Sequence, residues 1–281
     1  MAKIIALMNQ KGGVGKTTTS VNLAACLAAA EKRVLIIDLD PQGNGSISVG
    51  LDKEKFEDKN IYHALIGETP AKECVHHTDL PNFDIIPSEN NLSGAEVELV
   101  SVISRETKLK MALDPLREDY DYILIDCPPS LGLLTINALC CADSYIVPMQ
   151  TEYLAMEGLA QLLNTVRLIR ESLNPKLHND GILLTMYDGR SSLHKQVAEE
   201  IRNHFEDIVF ETVIPRNVKL AECPSFGKPI ILYDIESKGS EAYLSLAKEL
   251  LIRERAKTQI QELENVDLPP IDGLEENQTQ L

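Results

Sequence analysis

The sequence lacks the features that mark secreted, disulfide-rich proteins. Its six cysteines include no CxxC pair and have no regular spacing, so a disulfide framework is not indicated. A chain of 281 residues buries enough apolar surface to fold without such cross-links. We therefore expect reduced, mostly buried thiols and a cytoplasmic location.

Long apolar runs are also lacking. The apolar run before Asn9 has only five residues, which is too short for the core of a signal peptide. Two later runs, Val21–Ala30 and Leu131–Ala142, are interrupted by polar residues and fall short of the about 20 residues needed to cross a bilayer. We expect neither a targeting nor a spanning segment, and no membrane partner.

Basic residues are scarce relative to acidic ones. The chain has 27 Lys and Arg against 43 Asp and Glu, which gives a formal net charge of −16. This balance excludes a protein that coats nucleic acid through its overall charge. Any contact with nucleic acid would need a local basic patch.

What the sequence does contain is an alternation of short apolar strands and longer helical segments. The predicted strands are Lys3–Met8, Arg33–Asp38, Phe83–Pro87, Tyr122–Asp126, Ser144–Met149 and Gly181–Met186. The predicted helices are Thr17–Ala30, a segment from a capping box at Ser93 and Glu96 to about Leu116, Leu154–Ser172, Leu193–Phe205 and Ser240–Arg255. This alternation predicts an α/β fold with a doubly wound, mostly parallel twisted sheet and helices on both faces.

The domain organisation follows from the same pattern. No internal repeat or Ser/Gly-rich linker is present, so we expect one domain over residues 1–256. The remaining residues, 257–281, carry one Lys, six acidic residues and the pair Pro269-Pro270. We predict a frayed helix end followed by a disordered acidic tail for this segment.

The most informative segment is a glycine-rich loop between the first strand and the first helix, Gln10–Thr18 (QKGGVGKTT). Glycines let successive backbone N–H groups turn toward one point, where they and the helix N-terminus attract an anion. Lys16 is placed to reach β- and γ-phosphates, and the Thr17 hydroxyl is placed to ligate Mg²⁺. The strict pattern G-x-x-x-x-G-K-[ST] fails because Gln10 replaces the first glycine, and a second lysine, Lys11, precedes the paired glycines.

Two other interpretations of the loop fit its composition less well. A tight turn without a ligand does not require two lysines and several hydroxyl groups. A dinucleotide-binding loop is faintly imitated by Gly13-x-Gly15 followed by Asp38. However, Thr18 occupies the third glycine position of that motif, and a lysine in the turn is unexpected there. The loop therefore predicts a site for a nucleoside triphosphate.

Two strands end in carboxylates that would lie beside this loop in a parallel sheet. Asp38 and Asp40 follow one strand, and Asp126 ends another. An isolated Asp after a strand is commonly a turn former. Magnesium and an attacking water both need carboxylates near the γ-phosphate, so these positions become candidate site residues. Asp38 and Asp40 are two residues apart and are expected to share a face of the extended backbone.

These motifs together identify a resemblance. QKGGVGKTT, DLDPQGN and DCPPS make the chain similar to the deviant Walker A ATPases, and within them to the ParA/Soj chromosome-partitioning family. Segments such as SGAEVELV, TEYLAMEGLAQLL, TVIPRNVKLAE and PSFGKPIILYD extend the likeness to about residue 255. The resemblance implies a slow Mg-dependent ATPase that forms a homodimer around two ATP molecules.

The resemblance also implies roles for individual residues. It assigns catalysis to Lys11, which reaches the partner's phosphates, to Lys16, which binds phosphate, and to Asp40, which positions the attacking water. Metal-binding positions are Thr17, Asp38 and Asp126. The implied nucleotide-binding residues are Lys11, Gly12, Gly13, Val14, Gly15, Lys16, Thr17, Thr18, Pro215 and Asn217, the last two near the adenine.

Members of the family bind double-stranded DNA non-specifically as ATP dimers and release it when a ParB/Spo0J-type partner stimulates hydrolysis. Arg190 and Lys219 occupy positions where such proteins place DNA-contacting basic residues. Between Arg190 and Lys228, six basic side chains are balanced by six acidic ones. Local charge alone therefore does not distinguish a DNA-binding surface from an ordinary solvated one.

Two other functions share the loop chemistry. A MinD-like membrane-associated positioning ATPase would end in a basic amphipathic helix, whereas this chain ends in an acidic segment with a Pro-Pro pair. A reductase with a subunit-bridging iron–sulfur cluster would need well-placed cysteine ligands. Only Cys127 and the pair Cys140-Cys141 suggest such ligands, and burial of free thiols explains them more simply.

Overall fold

The computed structural model describes residues 1–52, 56, 58–152 and 155–264. Its strands are β1 Lys3–Leu7, β2 Val34–Asp38, β3 His76–His77, β4 Phe83–Ile86, β5 Tyr122–Asp126, β6 Ser144–Gln150 and β7 His178–Thr185. Its helices are α1 Lys16–Ala29, α2 Asn44–Ser48, α3 Ile61–Ile66, α4 Leu92–Glu98, α5 Lys108–Leu113, α6 Leu133–Cys141, α7 Ala155–Ser172, α8 Ser192–Phe205, α9 Val218–Glu222, α10 Ile230–Tyr233 and α11 Lys238–Glu264.

The strands form one sheet in the order β3-β4-β2-β5-β1-β6-β7. All neighbouring pairs are parallel except β3 and β4. From β1 the chain first builds the side that contains β2 and β4, returns through β5, and then adds β6 and β7. The order of strands reverses beside β1, and open α/β sheets bind ligands at the carboxyl ends of strands at such a point.

Alternating residues of the central strands belong to two apolar cores, one on each face of the sheet. Ile4 and Ala6 belong to one cluster, which also holds buried residues of α5, α6, α7 and α8. Ile5 and Leu7 belong to the other, which holds buried residues of α1 and α11. Both faces of the sheet are therefore covered by helices, and the predicted doubly wound fold is confirmed. Within the described part of the chain, no helix is both long and apolar enough to span a bilayer.

The predicted helix from Ser93 to about Leu116 is wrong. Helix α4 begins at Leu92, contains Ser93, and ends at Glu98. Ser104 then adopts a left-handed backbone with φ of 57° before α5 begins. The buried Asn137 of α6 explains the break, because its side chain accepts from Leu109 N at 3.1 Å and donates to Arg105 O at 2.8 Å. These tertiary hydrogen bonds replace those of a continuous helix.

The C-terminal helix extends further than the sequence pattern predicts. It continues past Arg255 to Glu264. Lys257 on this extension donates to Asp180 at 2.8 Å, and Glu254 pairs with Lys3 at 2.6 Å. These contacts hold the helix against the amino-terminal edge of the sheet. The predicted disordered tail from residue 265 onward lies outside the described residues, as does Leu154, the predicted first residue of α7.

Candidate functional site

The glycine-rich loop lies between β1 and α1 at the carboxyl edge of the sheet. Two polar side chains from neighbouring strands hold its carbonyl groups. Thr185 Oγ1 donates to Val14 O at 2.7 Å, and Gln150 Nε2 donates to Gly13 O at 2.9 Å. Gly15 precedes α1 with a φ of 88°, a conformation that favours glycine.

The amides of the same loop are available for a ligand. The backbone N–H groups of residues 12–18 donate no hydrogen bond to any residue that the structure describes. Free amides at the N-terminus of a 14-residue helix form an anion site. The loop is therefore fixed through its carbonyl groups and open through its amides, as a phosphate cradle requires.

Lys16 occupies the centre of this cradle. Its side chain is largely buried, and Nζ donates to Lys11 O at 3.3 Å. Burial lowers the pKa of Lys16, while the carboxylates of Asp126 and Asp40 act in the opposite direction. A partly desolvated ammonium group is stabilised by a nearby anion, which a phosphate would supply.

Asp126 satisfies the requirements of a magnesium ligand. Its side chain is fully buried, and Oδ1 accepts from Ser20 Oγ at 3.1 Å. Oδ2 has no partner with hydrogen-bond geometry in the described residues. The Thr17 hydroxyl is nevertheless close enough to favour the charged carboxylate. A buried carboxylate oxygen without a partner, next to a hydroxyl at the phosphate loop, fits a Mg²⁺ ion.

A second acidic group increases the need for a cation. Asp38 of β2 is in register with Asp126 of β5, so the two buried carboxylates are neighbours on paired strands. Burial and the charge of Asp38 raise the pKa of Asp126 above its ordinary value, with Lys16 opposing this shift. A divalent cation would compensate two buried carboxylates better than Lys16 alone.

Asp38 itself is held away from the cleft. Its Oδ2 accepts from both Ser46 N and Ser46 Oγ at 2.7 Å. Its Oδ1 accepts from Asp40 N at 3.4 Å. Ser46 Oγ in turn accepts from Ser88 N at 3.0 Å. Asp38 therefore ties α2 to the end of β2, and like Asp126 it is buried beneath the cleft rather than part of its lining.

Asp40, by contrast, lines the cleft. The cleft has a volume of about 550 Å³ and lies directly above the phosphate loop. Asp40 Oδ1 accepts from Gln42 N at 3.0 Å, which fixes the turn after β2. Asp38 is the last residue of β2, whereas Asp40 lies in the turn that follows, and only Asp40 of the two lines the cleft. The residues around the cleft are Gly12, Gly13, Gly15, Lys16, Thr17, Thr18, Asp40, Gln42, Asn44, Ile47, Ser48, Pro129, Met186, Pro224 and Ser225.

A second cavity of about 390 Å³ adjoins the cleft and shares Gly15, Thr18, Met186 and Pro224 with it. Its walls include the two predicted adenine-site residues, Pro215 and Asn217. Its other walls are mostly apolar, as a flat base requires. Asn217 Oδ1 accepts from Lys219 N at 2.8 Å and from Leu220 N at 3.3 Å and so caps α9. Only its amide nitrogen is left to contact a base.

Lys11 is exposed at the rim of the loop. It forms an ion pair with Glu152, which follows β6, and both side chains are about half exposed. Its backbone N–H donates to Asn9 Oδ1 at 3.0 Å. Lys11 does not line the cleft of its own chain. Its position is compatible with a role toward a second molecule.

The two predicted DNA-contacting residues lie on adjacent segments. A bridge between Tyr187 and Pro215 brings the segment after β7 beside the segment before α9. Arg190 is largely exposed and bonds Asp188 through Nε and Nη2 at 3.0 and 2.9 Å. Lys219 pairs with Glu222 at 3.2 Å and lies 5.5 Å from the centre of the Tyr233 ring. Both cations are thus paired with carboxylates of their own chain.

Several residues that position the site lie outside the sequence motifs. Ser20, Gln150 and Thr185 each hold part of the loop or of Asp126 from positions outside QKGGVGKTT. The only signal for Ser20 is its place one helical turn after Lys16, and Gln150 and Thr185 are recognisable only as the last residues of β6 and β7. All six cysteines are buried, and burial raises the pKa of Cys26 to about 12 and of Cys140 to about 11. Within the described residues, no group of three or more His, Cys, Asp or Glu side chains could hold a metal ion.

A parallel sheet with a glycine-rich loop at its switch point, a buried lysine in that loop and carboxylates at the adjoining strand ends defines a P-loop nucleoside triphosphatase fold. Comparison with known proteins agrees. Residues 2–179 match the protein family described as "AAA domain". The chain is 57% identical to the sporulation initiation inhibitor protein Soj of Bacillus subtilis over 250 residues, which cover 89% of this chain and 98% of that protein.

Two further similarities concern a second sequence relative and a solved structure. The chain is 54% identical over 258 residues to the chromosome partitioning protein ParA of Myxococcus xanthus, covering 92% of this chain and 91% of that protein. A crystal structure of cobyrinic acid a,c-diamide synthase from Mycobacterium smegmatis, with a bound ATP analogue and magnesium, superposes with a TM-score of 0.80 at 36% identity. The match covers 92% of this chain and 97% of that one. The chain belongs to the ParA/Soj family of chromosome-partitioning ATPases.

Proposed function

We propose that this protein is a magnesium-dependent ATPase that drives partitioning of a chromosome or plasmid as a nucleotide-switched homodimer. The observation that carries the proposal is the phosphate cradle: free amides at residues 12–18 and the side chain of Lys16 lie at the cleft, and the buried Asp126 lies next to Thr17 of the same loop. The named relatives, which match nearly the whole chain, support the partitioning role.

The residues of the cleft have separable tasks in this proposal. The loop amides and Lys16 bind the β- and γ-phosphates, and the second cavity accommodates the adenine. Thr17 and Asp126 hold Mg²⁺, which would neutralise charge on the phosphate oxygens. Asp40 positions the attacking water, because it is the carboxylate of this group that lines the cleft. Asp38 supports Asp40 and α2 through Ser46 rather than contacting the metal.

Dimerisation follows from the position of Lys11. A triphosphate carries dense negative charge, and a second cation supplied by another subunit would couple ATP occupancy to association. Lys11 is exposed, lies on the loop and is absent from the lining of its own cleft. In this proposal Lys11 leaves Glu152 and contacts the γ-phosphate bound by the partner.

The dimer binds double-stranded DNA non-specifically through Arg190 and Lys219, and a ParB/Spo0J-type partner stimulates hydrolysis to release it. With a net charge of −16 on the chain, this binding must be local and strongly dependent on salt. Because each cation is paired with its own carboxylate, a phosphate must displace Asp188 and Glu222. Two subunits in one dimer would double the number of cations that face the duplex.

The test combines light scattering with hydrolysis assays. We expect a monomer with ADP, a dimer with ATP and Mg²⁺, and DNA binding only by the dimer. Asp40→Ala should still bind ATP and dimerise but lose hydrolysis, because only the water-positioning carboxylate is removed. Asp84→Ala, at a carboxylate outside the cleft, serves as the matched control. Wild-type hydrolysis by Asp40→Ala would contradict the water-positioning role of Asp40. A protein that stayed monomeric with ATP and Mg²⁺ would contradict the nucleotide-switched dimer.

A further inference from the structure

Two chain segments contribute residues to the wall of the nucleotide cleft. The first, residues 40–50, contributes Asp40, Gln42, Asn44, Ile47 and Ser48 to the lining. The second, residues 217–233, contributes Pro224 and Ser225 to the cleft and Asn217 to the adjoining base cavity. The second segment also carries Lys219 on its outer side. We name these the acid segment (residues 40–50) and the lysine segment (residues 217–233).

The two segments touch through two glycines. Gly50 and Gly227 both have positive φ, 80° and 61°. A Cβ atom at Gly227 would lie 2.5 Å from Gly50 Cα and 3.0 Å from Gly50 N. A Cβ atom at Gly50 would lie 2.9 Å from Gly227 O. The contact is therefore between main chains, and neither side has space for a methyl group.

A second contact, three residues after Gly227, attaches the lysine segment to the phosphate-loop helix. Asn22 of α1 is buried, its Oδ1 accepts from Ile230 N at 2.6 Å, and its Nδ2 donates to Thr18 O at 2.8 Å. The lysine segment is thus attached to α1 through Asn22 and to the acid segment through Gly227. Both attachments lead back to groups that would contact the triphosphate.

The outer part of the lysine segment is a compact cluster. Glu222 Oε2 accepts from Lys219 Nζ at 3.2 Å and from Tyr233 Oη at 3.0 Å. The Phe226 and Tyr233 rings are 5.0 Å apart, and Phe226 immediately precedes Gly227. A displacement of Gly227 would therefore shift Phe226, and with it the surface that presents Lys219. Close-packed contacts of this kind transmit displacements because they leave no free space.

We propose that the Gly50–Gly227 contact is a positioning contact that couples the state of the triphosphate cleft to the Lys219 surface within one subunit. This inference rests on the proposed function, since it assigns how ATP occupancy changes the DNA-contacting surface. The contact keeps the acid segment and the lysine segment in one arrangement, so ligand binding at the first moves the second. Gly50 and Gly227 line neither cavity and are not binding residues themselves.

The test uses Gly50→Ala, Gly227→Ala and the double variant. Gly67→Ala is the matched control, because Gly67 has a similar φ of 84° but no atom within 4 Å of its would-be Cβ. The control therefore carries the same conformational cost without the steric wedge. The measured quantity is the ratio of DNA affinities with ATP and with ADP, alongside ATP affinity itself.

We expect Gly50→Ala and Gly227→Ala to bind ATP within about threefold of wild type while the ATP/ADP ratio of DNA affinities falls by about tenfold, within the usual range of coupling between sites. Gly67→Ala should retain the wild-type ratio. Because both substitutions act on one contact, the double variant should be no worse than the more affected single variant. Wild-type ratios in both single variants, or strictly additive losses, would overturn the proposal.

Hydrogen–deuterium exchange of the wild-type protein provides a second measurement that does not depend on a variant folding. A non-hydrolysable ATP analogue with Mg²⁺ should slow exchange at residues 228–234, which line neither cavity, relative to ADP. Unchanged exchange there, with protection confined to the cleft, would overturn the coupling. If the wild-type protein binds ATP but its DNA affinity is the same with ATP and ADP, the proposed function is contradicted. The exchange measurement would still show whether the cleft and the lysine segment are coupled.

Discussion

Lys11 of the phosphate loop and Glu152 after β6 form an ion pair across the rim of the nucleotide cleft. Both side chains are about half exposed, so the pair contributes about 0–1 kcal/mol and is easily broken. Lys11 is nevertheless the lysine of the loop that does not line its own cleft. In the proposed dimer, this pair would compete for Lys11 with the phosphate bound by the second subunit.

Glu152→Gln should therefore favour the ATP-bound dimer. Removing the carboxylate frees Lys11 at little cost to folding, and we expect the dimer dissociation constant to fall by up to about fivefold, in line with a surface pair. Analytical ultracentrifugation with a non-hydrolysable ATP analogue measures this constant. Glu118→Gln, at an exposed carboxylate that forms an ion pair with the N-terminus, is the control. Weaker dimerisation of Glu152→Gln would show that Glu152 itself contacts the partner.

The position of Asp38 leads to a prediction about metal dependence. Ser46→Ala removes one of two 2.7 Å hydrogen bonds to Asp38 and leaves Asp126 and Thr17 intact. If Asp38 positions α2 and Asp40, Ser46→Ala should lower the hydrolysis rate by about tenfold or less, as the removal of one buried hydrogen bond of about 0.5–1.5 kcal/mol allows. The Mg²⁺ concentration for half-maximal activity should not change.

Asp126→Asn is the contrasting variant for this experiment. It removes a charge next to the proposed magnesium position, so the Mg²⁺ requirement should rise by about tenfold or more. A titration of ATPase activity against Mg²⁺ compares the two variants. If Ser46→Ala raised the Mg²⁺ requirement as much as Asp126→Asn, the result would indicate that Asp38 is a ligand of the metal.

Asp180 connects the far edge of the sheet to the C-terminal helix. It is buried and accepts from Lys3 at 2.6 Å, from Lys257 at 2.8 Å and from His178 at 3.1 Å. Burial alone would raise the pKa of Asp180, but hydrogen bonds and charges from His178, Lys3 and Lys257 outweigh burial and hold the pKa well below its usual range. A carboxyl group whose pKa is lower in the folded state stabilises the fold above its unfolded pKa of about 4.

The stability of the protein should consequently fall as the pH is lowered from about 5 toward 3, and part of this decrease belongs to Asp180. At pH 7, Asp180→Asn should lower the free energy of unfolding by about 3–5 kcal/mol, because it leaves cations without their buried partner. Urea unfolding measures this difference. The difference between variant and wild type should shrink as the pH approaches 3. A pH-independent difference would contradict the role of the ionised carboxylate.

The proposed DNA contacts of Arg190 and Lys219 are tested by the salt dependence of affinity. Lys219→Ala and Arg190→Ala should each weaken binding and reduce the slope of log affinity against log salt by about one for each phosphate that the variant no longer neutralises. Lys176→Ala is the matched control, because Lys176 is exposed before the amino end of β7, whereas Arg190 follows its carboxyl end. If Lys219→Ala left the salt slope unchanged, or if Lys176→Ala weakened DNA binding equally, the DNA would not bind at the Arg190 and Lys219 surface.

The sequence predicts the parts of this molecule that depend on local pattern. The buried parallel strands are continuous apolar runs, and Tyr122–Asp126 matches its prediction residue for residue. The glycine-rich loop and the following helix are recognisable because the residue types of a phosphate site are confined to nine consecutive positions. Strand β3 escapes prediction, since His76 and His77 form a strand only by pairing with β4.

What the sequence does not predict depends on contacts between distant residues. The break after α4 is caused by Asn137, which lies 28 and 32 positions from its partners Leu109 and Arg105. Asp38 has the sequence context of a metal ligand, and the two hydrogen bonds that Ser46 donates to its carboxylate have no sequence signal. The Gly50–Gly227 contact has no sequence signal, because it requires two turns 177 residues apart to meet in space.

In the proposed function, the loop from Gln10 to Thr18 holds the triphosphate of ATP. Isothermal titration calorimetry of the full chain with ATP at millimolar Mg²⁺ measures this binding, and Lys16→Ala removes the buried cation of the cradle. We predict saturable heat with one ATP per chain, weakened at least about tenfold without Mg²⁺ and in Lys16→Ala. No heat with the wild-type chain, or equal affinity in Lys16→Ala, would contradict this role of the loop.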